Sequence, residues 1–259
     1  MERFNNLMDD LKDALTLSYK NKGLFLPALI ANIVVLVLGI GAAIFFVVSI
    51  IGTVASFGNP SMSGPSWKLI ATLIIVGIIF ILIFSIIMMA LDIGISGLVI
   101  GVVDGQSPSG NLFFSAIKEH LIPVFLTKFA LMFIYSFAFL LLLIPIVLYT
   151  VTVGVLTGGW GMLFLTCALQ TIIGYWVLIK VEDHRRGFES IGINIRFGRQ
   201  NFWLIILVMY IQYCMTAFLP NLLGLIGAAL ASFFISFLVV TIMKIVLLKS
   251  YRRYGVTMT

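Results

Sequence analysis

Charge is scarce in this chain. Of its 259 residues 10% are charged, where a soluble domain carries roughly 25%. Histidine and cysteine occur twice each and proline seven times. Each shortage excludes something. Against 61% hydrophobic residues, so little charge leaves no way to hide the apolar surface from water, and lipid is the expected solvent. Cys167 and Cys214 both fall inside apolar runs, where they act as small hydrophobes rather than a disulfide framework. With His120 and His184 the only imidazoles, zincin motifs and Cys/His ligand clusters are absent, as is a Walker-type phosphate loop. No metal and no cofactor is expected. The net charge of +6 lies in short patches between apolar runs, which argues against nucleic acid and for anionic lipid headgroups.

Long apolar runs are what the chain has. Residues 24–51 carry no charge and 69–103 carry only Asp92; further runs occupy about 121–149, 162–180, 202–219 and 222–248. Roughly 20 residues cross a bilayer core. The expected fold is therefore all-α, a polytopic membrane helix bundle of about six transmembrane helices. It forms one membrane domain, 1–259, with two-span modules at 1–104, 105–186 and 187–259. As a helix the second run is roughly 50 Å long, longer than the hydrocarbon needs, so this span must tilt, protrude or break, with Gly94 and Gly97 the places for a break. Pro145 is expected to kink the third span. Turn-forming residues at 57–67, 158–159 and 220–221 separate spans. The acidic N-terminus and the length of the first run do not fit a signal peptide.

An amphipathic interfacial helix is expected before each odd-numbered span. In residues 1–22, Phe4, Leu7, Met8, Leu11, Ala14 and Leu15 recur at helical spacing, with Asp9, Asp10, Lys12, Asp13 and Lys20 on the other side. Such a helix lies on a membrane surface. Residues 111–123 are expected to repeat the device as a short helix that turns into the third span. Ile191, Ile193, Ile195 and Phe197 alternate like a strand, but a lone strand at a membrane surface has no ladder partner, so residues 188–199 are expected to be a helix. Six spans place both termini on one side, together with every Lys and Arg except Lys68. The positive-inside rule makes that side cytoplasmic, in a multi-pass protein of the cell membrane. Trp67 and Trp160 then mark the outer interface, Trp176 and Trp203 the inner one. A faint repeat underlies the pattern: Asp92 stands twelve residues before Asp104, and Gln170 twelve before Glu182.

Few residues carry chemistry. Asp92 lies about twelve residues, roughly 18 Å, inside the second span, where an ionisable group is costly and faces a partner or a wet cavity. The intramembrane polar set is Asp92, Lys128, Gln170 and Lys244, with Asp92–Lys128 the expected pair if there is one. The alternative is that Lys128 and Lys244 reach the headgroups along their stems. Gly94-Ile95-Ser96-Gly97 has the Gly-x-Ser-Gly form of rhomboid proteases, but no span holds the histidine base that chemistry needs. Small residues that let helices approach closely are the better account. Glu182, Asp183 and His184 are adjacent, yet Arg185 and Arg186 oppose a cation there. Arg185, Arg186, Arg196 and Arg199 suit anionic headgroups.

With its lead-ins laid out, the chain resembles a loose group of prokaryotic polytopic membrane families, including the membrane domain fused to some glycerophosphoryl diester phosphodiesterases. The carrying features are the segment from Ala14 to Pro27 and the acidic-loop-glycine-helix pattern at 104–116 and 182–191. The resemblance implies about six spans and an accessory role, with no catalytic residues. The expected function is a non-enzymatic scaffold, lipid-contacting module or accessory subunit with a membrane-protein partner. The alternative is a small secondary transporter or channel using Asp92 and Lys128.

Overall fold

The computed structural model describes residues 2–57, 67–149, 174–215 and 224–255. Among these residues all regular structure is helical. The elements are α1 (Glu2–Lys20), a 3₁₀ turn (Lys22–Phe25), α2 (Leu26–Phe57), α3 (Trp67–Val103), α4 (Gly110–Tyr149), α5 (Trp176–Asp183), α6 (Gly187–Gln200), α7 (Phe202–Tyr213) and α8 (Gly224–Tyr254). The stretches 158–159 and 220–221, most of the 57–67 loop, the greater part of the fourth apolar run, Trp160, Cys167 and Gln170 lie outside the described residues. Two stretches, Lys22–Gly41 and Ile74–Val103, are long and apolar enough to cross a membrane.

The first and third lead-ins are elbows built the same way. At Asn21 the backbone N–H and the side-chain Nδ2 both donate to Leu17 O, each at 3.0 Å. At Asn201 both donate to Phe197 O, at 2.9 and 3.1 Å. Each asparagine holds φ near −115° with positive ψ, outside the helical region, and the next helix leaves from there. Asparagine suits the place because its side chain competes for the carbonyls that end a helix. Residues 188–199 are indeed helical, and the strand-like alternation is overridden. Gly187, Ser190, Ile191, Asn194 and Phe197 form the buried face, a helical rather than a strand period.

The central lead-in differs from expectation. Residues 111–123 do not turn into the next run: α4 is one helix of 40 residues through both Pro123 and Pro145. No asparagine stands at its elbow position to end the helix.

Helix α3 is also unbroken, 37 residues long, so Gly94 and Gly97 are not a break. They are packing positions. A Cβ on Gly94 would overlap the Phe113 ring, one on Gly97 the Cβ of Ala116, and one on Gly101 would meet Leu112. The three glycines form one stripe, against which α4 lies antiparallel.

The main core gathers Leu98, Val99 and Val102 of α3, Ile179 of α5, Phe197 of α6, Ile205 and Val208 of α7, and Ile245 to Leu248 of α8. Trp176, expected at the interface, is instead buried in a second cluster with Met89, Ile93 and Val124. Trp203 is 74% exposed. Helix α1 lays Leu7, Asp10, Ala14 and Ser18 inward, while Phe4, Met8, Leu15 and Tyr19 point outward as a second, apolar stripe. At 100° per residue that outer stripe spans only about 60°. The single apolar face expected of α1 is thus divided between protein and surroundings.

Candidate functional site: a charged cavity between α3 and α8

The face of α3 opposite the glycine stripe carries the polar site. At 100° per residue Asp92 lies roughly 140–180° around the helix from Gly94, Gly97 and Gly101. It therefore points away from α4 and toward α8. There Lys244 meets it: Nζ donates to Asp92 Oδ1 at 2.5 Å, to Asp92 O at 3.0 Å and to Ser96 Oγ at 2.9 Å. The Ser96 hydroxyl in turn donates to Asp92 O at 2.7 Å, and Ser96, one turn on from Asp92, is fully buried. The lysine head is 13% exposed and the carboxylate 42%.

The structure replaces the Asp92–Lys128 pair with Asp92–Lys244. Lys128 is exposed on α4, across the glycine stripe from Asp92. Axial spacing allows this partner. Arg252 of α8 binds Asp104, which sets the register of α8 on α3. From there Asp92 lies about 18 Å back and Lys244 about 12 Å back, a gap that long cationic stems cover.

A cavity of about 260 Å³ opens at this pair, lined also by Tyr175, Met209, Gln212 and Leu247. The Tyr175 hydroxyl contacts Met209 Sδ. Pre-formed sites of this kind are mostly apolar with a few convergent polar groups, and this one is small. Tyr175, Met209 and Gln212 carry no sequence signal, because apolar runs offer no motif to mark them. Ser96 and Lys244 are the residue types of a Ser–Lys hydrolase. Here Asp92 engages the ammonium, and Ser96 is sealed from the surface rather than lining the cavity.

A second polar assembly closes one end of the bundle. The last turns of α8 radiate to three elements. Lys249 binds Asp13 at 2.7 Å, Arg253 binds Asp10 at 2.8 Å, Ser250 donates to Asp10 at 3.4 Å and Asn6 to Tyr254 at 2.8 Å, all on α1. On the opposite face, Tyr251 donates to Asp183 at 2.6 Å, and Arg252 reaches Glu182 at 2.5 and 3.0 Å and Asp104 at 2.6 Å. Residues 249, 250, 253 and 254 share one side of a helix and 251 and 252 the other, so one helical end ties α1, α3 and α5 together. The paired acids raise the Arg252 pKa, and burial raises that of the Tyr251 phenol. Asp104 and Glu182, the acids at matching places in the faint repeat, share the single guanidinium of Arg252.

The four arginines suited to headgroups are all exposed. Arg185 is engaged by Glu189 at 2.7 Å and Asp183 at 3.7 Å. Arg196 and Arg199 stand one turn apart on α6, beside the exposed Phe188 and Ile195.

No family model, curated protein or solved structure matches the chain.

Proposed function

We propose that the chain is a multi-pass protein of the cell membrane, non-enzymatic, whose bundle acts as a lipid-contacting scaffold or accessory subunit of a membrane assembly. One observation carries the reading. Ile74, Ile75, Ile78, Ile79, Ile81, Leu82 and Ile83 of α3 are all exposed, and they spread over more than half of the helix circumference. Water does not tolerate an apolar surface on several sides of one helix; hydrocarbon does. The outward stripe of α1 and the Phe188–Ile195 edge of α6 then rest in the interface, with Arg196 and Arg199 toward anionic headgroups. The six apolar runs supply six spans, and the distribution of Lys and Arg puts both termini on the cytoplasmic side. The accessory role accords with the resemblance to membrane domains attached to phosphodiesterases.

The test is topological and then functional. A single cysteine placed in 59–66, in a background lacking Cys167 and Cys214, should react with a membrane-impermeant maleimide on intact cells, while terminal tags stay protected. Protection of 59–66 overturns the arrangement.

The cavity at Asp92–Lys244 favours one second reading, a small secondary transporter or channel. That reading predicts proton or ion flux in proteoliposomes that Asp92→Asn abolishes without loss of protein. The scaffold reading predicts vesicles as tight as protein-free ones.

A further inference from the structure

We infer that Glu119, His120 and His184 form a binding site for a divalent transition-metal ion, with zinc the best fit. The chain has two histidines, 64 positions apart, and the fold brings both to one carboxylate. His184 Nδ1 lies 2.8 Å and His120 Nε2 3.8 Å from Glu119 Oε1. The imidazole centroids are 5.1 Å apart, and one ligand atom from each residue falls within 4.8 Å of the others. Tetrahedral zinc with bonds near 2.0–2.1 Å spaces its ligand atoms about 3.3 Å apart. The observed separations bracket that figure, so small side-chain rotations close the site.

The ligand set narrows the choice of ion. Two imidazoles and a carboxylate suit zinc and its transition-metal neighbours, whereas magnesium and calcium want oxygen. Three protein ligands leave a position open. The exposure gradient agrees: His120 is 4% exposed, while Glu119 and His184 face solvent. The backbone agrees too. His184 is the one non-glycine residue with positive φ among the described residues, at 52° in the left-handed region. It sits there as the cap that ends α5. A left-handed turn is an uncommon conformation that the surroundings hold in place, and it aims the ring back at α4. One opposing charge is present. The buried Lys180 acts on both His120 and Glu119 while its ammonium donates to Arg185 O at 2.5 Å. It weakens binding without blocking the ligand atoms, and micromolar rather than picomolar affinity is expected. An ion here would pin α4 to the α5–α6 turn.

The experiment uses the full chain, purified in detergent without a histidine tag and stripped with chelator. Zinc is titrated calorimetrically, and cobalt(II) by its visible absorption. One equivalent should bind, with a cobalt spectrum of low coordination number. His184→Asn keeps a residue that tolerates the left-handed turn and should weaken binding at least tenfold. Glu119→Gln should weaken it less, and His120→Ala should abolish it. Added zinc should raise the melting temperature of the unmodified chain by several degrees and leave His184→Asn unmoved. Absence of stoichiometric binding overturns the inference. So does binding that survives both histidine substitutions. Neither result bears on how the chain sits in the bilayer.

Discussion

The two halves of α3 belong to one unbroken helix and lie in opposite environments. From Ile74 to Met88 most of the large side chains point outward. From Met89 to Val102 most are buried, against α4 on one side and α8 on the other. The inner half differs in its small and polar residues. Gly94, Gly97 and Gly101 admit α4, and Asp92 and Ser96 hold Lys244. In the outer half Gly77 has nothing within contact of its missing side chain. On the proposed reading the solvent of the bundle is as oily as its core, and hydrophobicity then does not choose contacts. Close approach and polar pairing do.

The contrast is broken most directly by adding bulk. Gly97→Leu should be the most damaging single change in the helix, about 3 kcal/mol through overpacking against Ala116. Gly77→Leu should leave stability unchanged within about 0.5 kcal/mol. Thermal unfolding of detergent-solubilised protein, read beside cellular abundance, decides between them. Equal losses at the two sites would mean that the outer half also packs on protein.

Polar contacts come next. Arg252→Met strips Glu182 and Asp104 of a shared partner and should cost about 2 kcal/mol, seen as a lower melting temperature and as easier proteolysis in the segments that follow Asp104 and Asp183. Lys244→Met leaves Asp92 and Ser96 without their donor and should cost about 1–2 kcal/mol. Lys128→Met should cost nothing measurable. A double-mutant cycle of Lys244→Met with Asp92→Asn should show coupling of about 1 kcal/mol. The same cycle with Lys128 should show none. Coupling to Lys128 instead would reverse the orientation assigned to α3.

These pairs also show what the residues alone reveal. Helix content and the packing role of the Gly94–Gly97 stretch follow from spacing, whereas the α1 face is divided and the α6 face runs against its alternation. At 111–123 there is no elbow: amphipathic spacing reports a face and says nothing about whether the helix ends. The asparagine that ends α1 and α6 has no counterpart there. The partner of Asp92 turns on azimuth: once the glycine stripe is assigned to α4, the carboxylate faces the other way. Two long cationic stems at similar depth were otherwise indistinguishable. The meeting of His120 with His184 and the lining of the cavity depend on tertiary contacts for which the sequence carries no period.

The smallest expected effect separates two carboxylates on one helix. Asp10 and Asp13 both face the end of α8, but Asp10 is 1% exposed and Asp13 63%. Burial raises the Asp10 pKa above its ordinary 3.8, with Arg253 and Lys249 opposing. The hydrogen bond and charge of Lys249 lower that of Asp13. The signs then differ. For Asp13 the unfolded chain binds the proton more readily, so its contribution is complete above pH 3.8 and is lost as pH falls through the folded value. For Asp10 the folded chain binds it more readily, so its contribution is complete below pH 3.8 and is lost as pH rises through the folded value. Melting curves across this range should show Asp13→Asn flattening the acid limb below pH 3.8, by a small amount because the pair is exposed and screened. Asp10→Asn should flatten the slope above it. If both variants run parallel to the parent at every pH, the end of α8 binds α1 through shape alone and the ionic contacts there are incidental.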